Sequence, residues 1–178
     1  FPTHRLVRDL PNFDKEAVLE KCSEFFYIDE KEGTDTMEED LKKLYDEGKK
    51  AFGFYCGKGE WFLLTLKNID IMSQMLPNVS KASQSLDVSV LHTLILEKIF
   101  GIDKENMAKQ INLTYTKFFT EAIDGVDKGE FQCSFVLNPT RVTEIRDVAA
   151  AGEKMPQKST YFYPKMITGM VMNNLGVD

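Results

Sequence analysis

The fold is decided by residues 51–66, AFGFYCGKGEWFLLTL, in which two apolar runs flank a short glycine-rich link. The runs at 51–56 and 61–66 are rich in aromatic and aliphatic residues, a composition typical of β-strands. Gly57-Lys58-Gly59 has the length and the glycines of a hairpin connection. The stretch therefore predicts an antiparallel hairpin near 51–66.

Helices and strands alternate on both sides of this hairpin. Thr36-x-x-Glu39 has capping-box spacing, and Gly48, Gly101 and Gly152 stand where helices end. The predicted helices cover about 15–25, 36–48, 87–100, 117–126 and 139–151, and the further predicted strands cover 25–28, 111–114 and 131–137. This succession predicts an α/β fold, a mixed β-sheet with packed helices, with the α+β class as the alternative. Because no Pro/Gly/Ser-rich linker divides the chain, we predict a single domain over 1–178.

Composition and charge exclude several classes of partner. The 178 residues are 43% hydrophobic and 28% charged, as in globular proteins. With 28 acidic residues against 22 Lys and Arg, the net charge is −6. Nucleic-acid binding depends on clustered Lys and Arg, so we expect no nucleic-acid partner. No apolar run approaches the ~20 residues that cross a bilayer, so we expect no membrane partner.

The cysteines and histidines bear on compartment and metal. Cys22, Cys56 and Cys133 are far apart and lack a C-x-x-C spacing, which is typical of reduced thiols and predicts a cytoplasmic protein. With only His4 and His92 beside isolated cysteines, we expect no zinc site. Metal binding through carboxylates alone stays open.

Residues 152–160, GEKMPQKST, approach the phosphate-binding P-loop pattern without matching it. Gln157 replaces the second glycine, whose role is to let the backbone curl around a phosphate. The predicted context also differs, since a P-loop runs from a strand into a helix and this segment follows a helix. It is not a Walker A motif.

The same segment still carries groups that suit an anion. Lys158 offers a full positive charge, and Ser159 and Thr160 offer hydroxyl donors on a proline-flanked loop. Lys165 and Tyr163 extend this candidate phosphate-binding set. The alternative is that the lysines solvate a surface turn and the aromatic residues form a half-buried strand.

His4 and Arg5 form the second candidate, because a histidine beside an arginine can bind phosphate or act in acid–base chemistry near neutral pH. The alternative is a packed pair at a sheet edge. His92 lies in the predicted 87–100 helix with no chemical group at helical spacing, and we interpret it as a core or helix-surface residue.

Four pieces of the chain, in order, resemble a prokaryotic family known only as a domain-of-unknown-function family, number one thousand and fifteen. They are PTHRLV (2–7), LDVSVLH (86–92), NPT (138–140) and MPQKSTYFYPK (155–165). Members of that family are longer, and their first half ends in an Ala-Asp-Gly-His-His-Arg loop that this chain lacks. Since the chain also begins at Phe1 rather than Met, we expect the C-terminal portion of a longer protein.

The resemblance implies a function for the candidate residues. The loop of the family's first half resembles the nucleotide-handling loop of the ParB and sulfiredoxin-like fold, which includes phosphotransferases such as free-serine kinases. It implies an anion site that is lined by His4, Arg5, Lys158, Ser159 and Lys165 and shared with the first half of the same chain. The site would take a small phosphorylated ligand, with a nucleotide as the candidate cofactor. In that case the fragment alone is inactive. The alternative is a non-catalytic accessory or dimerisation domain that packs on the first half or on a second copy of itself.

Overall fold

The computed structural model of the chain describes residues 1–156 and 158–159. Within that range, helices and strands alternate along the sequence. The strands are β1 (His4–Val7), β2 (Phe26–Glu32), β3 (Ala51–Gly57), β4 (Glu60–Leu66), β5 (Leu113–Thr116) and β6 (Cys133–Val136). The helices are α1 (Lys15–Cys22), α2 (Met37–Asp46), α3 (Ile71–Met75), α4 (Lys81–Gln84), α5 (Asp87–Val90), α6 (Lys104–Lys109), α7 (Phe119–Asp127) and α8 (Val142–Ala150), with a π-helix over Leu91–Glu97.

The strands form one sheet in the order β2-β4-β3-β6-β1-β5. The prediction of helices packed on a β-sheet is confirmed. Across the described strands every pairing is antiparallel, whereas the alternating order of elements predicts a mixed sheet. The difference arises because a helix between two strands does not require them to be parallel neighbours. Here the helical connections join strands that pair antiparallel with strands distant in sequence.

The hairpin predicted near 51–66 is confirmed. β3 and β4 pair from Ala51↔Thr65 to Gly57↔Glu60, with a bulge between Tyr55 and Gly57. Lys58 and Gly59, which join the two strands, both have positive φ, at 59° and 74°. A two-residue hairpin turn with both central φ angles positive matches the twist of the flanking strands, and glycine adopts that conformation at little cost.

The sheet buries apolar side chains on both faces, because the side chains of a strand alternate between them. One face carries the aromatic residues Phe52, Phe54 and Phe135, and α1, the π-helix and neighbouring short helices cover it. On the other face α2 and α7 pack against a smaller cluster that is centred on Tyr55 and Trp61. Because both faces of the sheet are covered, a polar side chain in a central strand is buried on one face or the other.

Two features are missed by the sequence prediction. β1 lies inside the sheet between β5 and β6, and its four residues are all buried although two of them are polar. The predicted 87–100 helix begins correctly at Asp87 but changes to a π-helix from Leu91 to Glu97. Both α- and π-helices place apolar residues at similar spacing over one or two turns, so the pattern does not separate them.

Other boundaries shift by a few residues. The predicted 111–114 strand lies at Leu113–Thr116, and the predicted 139–151 helix begins only at Val142. The Thr36-x-x-Glu39 capping box does not form, since the Thr36 hydroxyl donates to Asp40 instead of capping the backbone. No helix within residues 1–156 has the length and apolarity that a membrane span requires.

Candidate functional site

Arg5 is a fully buried arginine at the centre of β1. It pairs with Tyr115 on one neighbouring strand and Phe135 on the other, so its side chain lies on the aromatic face of the sheet. Its Nη1 donates to the carbonyl of Thr3, and its Nη2 donates to the carbonyl of Lys158 over 3.1 Å. These two carbonyls hold one end of the guanidinium in a fixed plane.

The other side of the guanidinium contacts His92, which lies in the π-helix that packs on the sheet. Arg5 Nε and Nη2 lie 3.3 Å and 3.1 Å from His92 Nε2. Both arginine atoms are donors, so Nε2 accepts and the proton of the neutral imidazole is on Nδ1. Burial and the nearby Arg5 charge lower the pKa of His92 to about 3. His92 is therefore neutral at physiological pH, and its remaining polar group is the Nδ1–H donor.

Arg5 carries its charge without an acidic partner among residues 1–156, 158 and 159. Burial lowers its pKa to about 10, so it remains protonated at pH 7. The guanidinium carbon lies 5.1 Å from the centroid of the Tyr115 ring. The Tyr115 hydroxyl is itself buried and has no hydrogen-bond partner in the described part of the chain. Buried charges are costly unless they are paired, so this arrangement is one that an anion stabilises.

His92 and Tyr115 both line a cavity of about 370 Å³. The cavity lies between the π-helix, β5, α6 and the segment that follows α8. Its apolar wall includes Leu76, Val79 and Met107. A volume of this size lies within the range of small-molecule binding pockets.

Charged side chains line the rest of this cavity. Lys104 and Lys154 supply positive charge, and Glu97 and Glu153 supply negative charge. Glu153 is already engaged, since its carboxylate accepts from the Ser80 amide at 3.0 Å and 3.2 Å and from the Ser83 hydroxyl at 3.2 Å. Hydrogen bonds from Ser80, with a further one from Ser83, lower the pKa of Glu153. Glu153 is therefore ionised at neutral pH, and its hydrogen bonds hold the carboxylate against Ser80 and Ser83.

The predicted Lys158 segment reaches this site through its backbone. The Lys158 carbonyl accepts from Arg5, while its residue is exposed and has φ of 56°. Ser159 is buried, and its hydroxyl donates to the Pro156 carbonyl over 2.6 Å, so that proton is used within the turn. Thr160, Tyr163 and Lys165, the other members of the predicted set, lie outside the described residues.

The His4 side chain lies on the other face of the sheet from Arg5 and from the cavity beside His92. The neighbouring position on β1 places the His4 side chain on the opposite face of the sheet, where its ring meets Phe119 of α7. Its Nδ1 accepts from the Leu137 amide over 3.1 Å. Burial, with a smaller effect of the Arg5 charge, lowers the pKa of His4 to about 4. The structure therefore brings Arg5 and the Lys158 backbone together and separates the His4 side chain from them.

His92 and Tyr115 are members of the site that the sequence interpretation misses. Arg5 and His92 are 87 positions apart, so no local spacing reveals their contact. One signal was present: a histidine within an apolar helix face must find a hydrogen-bond partner when it is buried. Nothing in the sequence marks Tyr115.

Neither a metal site nor a reactive thiol is found among the described residues. Within that range, no group of three or more His, Cys, Asp and Glu side chains could hold a metal ion. Cys22, Cys56 and Cys133 are free cysteines, and burial raises the pKa of each thiol, to about 12 for Cys22 and Cys56. These thiols stay protonated and are poor nucleophiles.

Comparison with known proteins assigns the family. The model of a protein family of unknown function, DUF1015, matches residues 1–89, half of the chain. The chain belongs to the DUF1015 family. The matched part includes Arg5 and ends three residues before His92. The DUF1015 assignment confirms the family resemblance that the four sequence pieces indicate.

No curated protein matches this DUF1015 chain. Among solved structures, a conserved hypothetical protein from Pyrococcus furiosus is similar, with 19% sequence identity and a TM-score of 0.49. The match covers 90% of this chain and 54% of the Pyrococcus chain. This chain thus spans about half the length of the protein that it matches.

Proposed function

We propose that this DUF1015 chain binds the phosphate group of a small molecule in the cavity beside His92, as the phosphate-binding part of a longer phosphotransferase-like enzyme. The observation that carries the proposal is the buried Arg5 guanidinium, which has no acidic partner in the described range and contacts the wall of the cavity through His92 and Tyr115. An anion in the cavity provides the missing negative charge.

Arg5 acts on this ligand through His92 and Tyr115, which contact Arg5 and line the cavity. Because Arg5 donates to Nε2 of His92, the imidazole is polarised and its Nδ1–H becomes a stronger donor. The Tyr115 hydroxyl is a second donor, without a partner in the described part of the chain, and Lys104 and Lys154 add positive charge. A phosphate, with several acceptor oxygens and more than one negative charge, uses all of these groups. The apolar wall at Leu76, Val79 and Met107 suits a carbon body attached to the phosphate.

The enzymatic part of the proposal follows from what phosphoryl transfer requires. Catalysis of this reaction consists mostly of positioning and of stabilising negative charge. The proposed site supplies cations and N–H donors, but neither histidine of the chain can serve as its general base, since His92 Nε2 is occupied by Arg5 and His4 lies on the other face. Glu97 on the cavity wall is then the candidate for the base, and the remainder of the longer protein supplies the nucleotide contacts.

The test is ligand binding by the purified full-length protein, measured as thermal stabilisation and by calorimetry with pyrophosphate, ATP and O-phosphoserine. A ligand at ~100-fold excess over its Kd stabilises the native state by about 2.7 kcal/mol. We expect Tyr115→Phe to weaken binding of the stabilising ligand by roughly 10-fold or more, because a hydrogen bond to a charged group is lost. The unliganded variant should be at least as stable as the wild type, because the hydroxyl that is removed has no partner.

Two lysines on the same helix give a matched control. Lys104 lines the cavity, whereas Lys109, five residues later, pairs with Glu105 on the surface. Lys104→Ala should weaken binding and Lys109→Ala should leave it unchanged. Stabilisation by none of the three ligands, or equal effects of the two lysine variants, contradicts the proposed site.

A second candidate function, an accessory domain that packs on another part of the protein, is favoured by a different observation. Phe1 and Phe118 are 60% and 51% exposed, and both rings lie within 5.4 Å of the Lys117 amine. Exposed aromatic rings on one surface are typical of an interface. This candidate leads if the ligands do not bind.

A further inference from the structure

The face of β1 opposite Arg5 borders a second cavity, of about 280 Å³. His4 forms part of its wall, with Asn138 and Pro139 beyond the end of β6 and with Glu38 and Lys42 of α2. Arg141 stands at the beginning of α8 on the same cavity. None of the described residues that line this cavity also lines the cavity beside His92.

His4 lines this cavity, and its contact with a backbone amide fixes the tautomer of its ring. The Leu137 amide is a donor, so His4 Nδ1 accepts and the proton of the neutral ring lies on Nε2. The Nε2 atom is buried and has no partner among the described residues. Because a buried N–H without an acceptor costs free energy, an oxygen that reaches Nε2 from the cavity stabilises the folded state.

The charges around the cavity define which oxygen fits best. Lys42 and Arg141 both bind Asp46, over 3.0 Å and 2.7 Å, so their positive charge is already partly compensated. The Asn138 amide is also used, since it donates to the Leu41 carbonyl over 2.9 Å. One free N–H donor and two half-compensated cations match a planar, singly charged acceptor better than a doubly charged phosphate.

We propose that the cavity beside His4 is a second binding site, which takes a small carboxylate whose oxygen accepts from His4 Nε2 and whose charge is balanced by Lys42 and Arg141. Glu38 on the same wall disfavours ligands of higher negative charge. The site is independent of the phosphate cavity and lies on the other side of the sheet.

The experiment uses the two histidines of the chain as separate reporters. In the full-length protein labelled with ¹⁵N-histidine, NMR of the imidazole nitrogens identifies the tautomer of each ring. Selective unlabelling or the His4→Asn variant assigns the signals that belong to this chain. We expect His4 to carry its proton on Nε2 and His92 to carry its proton on Nδ1. The opposite tautomer at His4 overturns the proposal, because the ring then offers the cavity no N–H donor.

Titration with propionate then tests binding, with propionamide as the uncharged control. We expect a saturable shift of the His4 Nε2 signal with propionate, no comparable shift with propionamide and no shift of the His92 signal. The absence of a saturable shift overturns the proposal, and so does an equal response to propionamide. Pyrophosphate, by contrast, should move the His92 signal, so failure at one site is distinguishable from failure at the other.

Variants separate binding from folding. His4→Asn places an amide oxygen near the former Nδ1, which keeps an acceptor for the Leu137 amide while it removes the Nε2–H donor. In protein labelled with ¹⁵N-leucine, we expect propionate to shift the Leu137 amide signal of the wild type, because that amide donates to His4. The variant should fold and should lose this shift. Lys42→Ala should weaken propionate binding several-fold, while Lys43→Ala, at the next position of α2 and outside the cavity lining, should not. Unchanged binding in His4→Asn overturns the proposal.

Discussion

His4 and Arg5 are adjacent in sequence, yet their side chains serve different surfaces. The alternation of a β-strand sends one to each face of the sheet, and each face then fixes one histidine in a different tautomer. On one face a backbone amide occupies Nδ1 of His4, and on the other the Arg5 guanidinium occupies Nε2 of His92. Two residues that the sequence presents as a pair thus belong to different surroundings: His4 lines one cavity, and Arg5 contacts His92 and Tyr115, which line the other.

Asp87 is a further buried polar residue, and its burial changes how the stability of the protein depends on pH. Its Oδ1 atom is buried without a partner in the described structure. Burial raises the pKa of Asp87 to about 7, against an opposing effect of Lys50 and with a further increase from Glu144. Between the unfolded pKa of 3.8 and about 7 the folded state holds a proton that the unfolded state releases, so stability falls as pH rises through this window.

Asp87→Asn removes this penalty, because an amide has no charge to bury. At about pH 8 we expect the variant to be more stable than the wild type by roughly 3 to 4 kcal/mol, and near pH 4 the difference should largely vanish. Urea denaturation at the two pH values measures it. Asp70→Asn is the control, since Asp70 is exposed and makes no capping hydrogen bond. Destabilisation of Asp87→Asn at high pH contradicts the assignment of an unpartnered carboxyl.

At the scale of elements, strands whose partners are close in sequence are predicted, and a strand whose partners are distant in sequence is missed. The hairpin of β3 and β4 is predicted because its strands, turn residues and partners all lie within 51–66. β1 is not predicted, because its four residues HRLV carry no alternation of apolar and polar positions and its partners, β5 and β6, follow more than 100 residues later. The π-helix is not predicted either, because the spacing of its apolar residues resembles that of an α-helix.

At Gly125 in α7, helix propensity favours alanine, whereas the packing around the position favours glycine. A methyl group at this position would lie 2.9 Å from the Phe131 ring and 3.3 Å from Leu6. The ring cannot easily withdraw, because the Phe131 amide donates to the Gly125 carbonyl over 3.2 Å. The glycine therefore allows α7 to lie against β1.

We expect Gly125→Ala to destabilise the protein by roughly 1 to 2 kcal/mol. Overpacking costs about 1–3 kcal/mol, and it outweighs the gain of up to about 1 kcal/mol that alanine brings to a helix. Chemical denaturation measures the difference. Thr120→Ala, at an exposed position of the same helix, should instead be neutral or slightly stabilising. A more stable Gly125→Ala variant would show that Phe131 moves away at little cost.

At the scale of the whole molecule, the sheet carries buried ionisable groups on both faces of an acidic chain. The sequence predicts an anion site and names Arg5 as a candidate, but it does not predict that His92 and Tyr115 lie against Arg5. Those contacts arise only when β1, β5 and the π-helix are assembled. The apolar pattern records which residues are buried, whereas the hydrogen-bond partners of a buried polar residue depend on the complete topology.

The same buried groups predict how the molecule responds to acid. The folded-state pKa values of His4 and His92, about 4 and about 3, lie below the unfolded value of 6.5. The stability that this contributes is complete above 6.5 and is lost as pH falls through the folded values. Near pH 5 the unfolded state therefore binds two histidine protons that the folded state lacks, and the folded state binds one proton on Asp87 that the unfolded state has largely lost.

The net difference of one proton sets the slope of stability against pH. We expect the free energy of unfolding to fall by roughly 1 kcal/mol for each unit of acidification between about pH 6 and pH 5, because the unfolded histidines are only partly protonated at pH 6. Urea denaturation across this range tests the slope in the wild type and in two variants. His4→Asn should flatten it, because one of the two histidine contributions disappears. Asp87→Asn should nearly double it, because the opposing contribution disappears. A wild-type slope of the opposite sign would mean that the histidines are charged in the folded protein, and Arg5 could not then donate to Nε2 of His92.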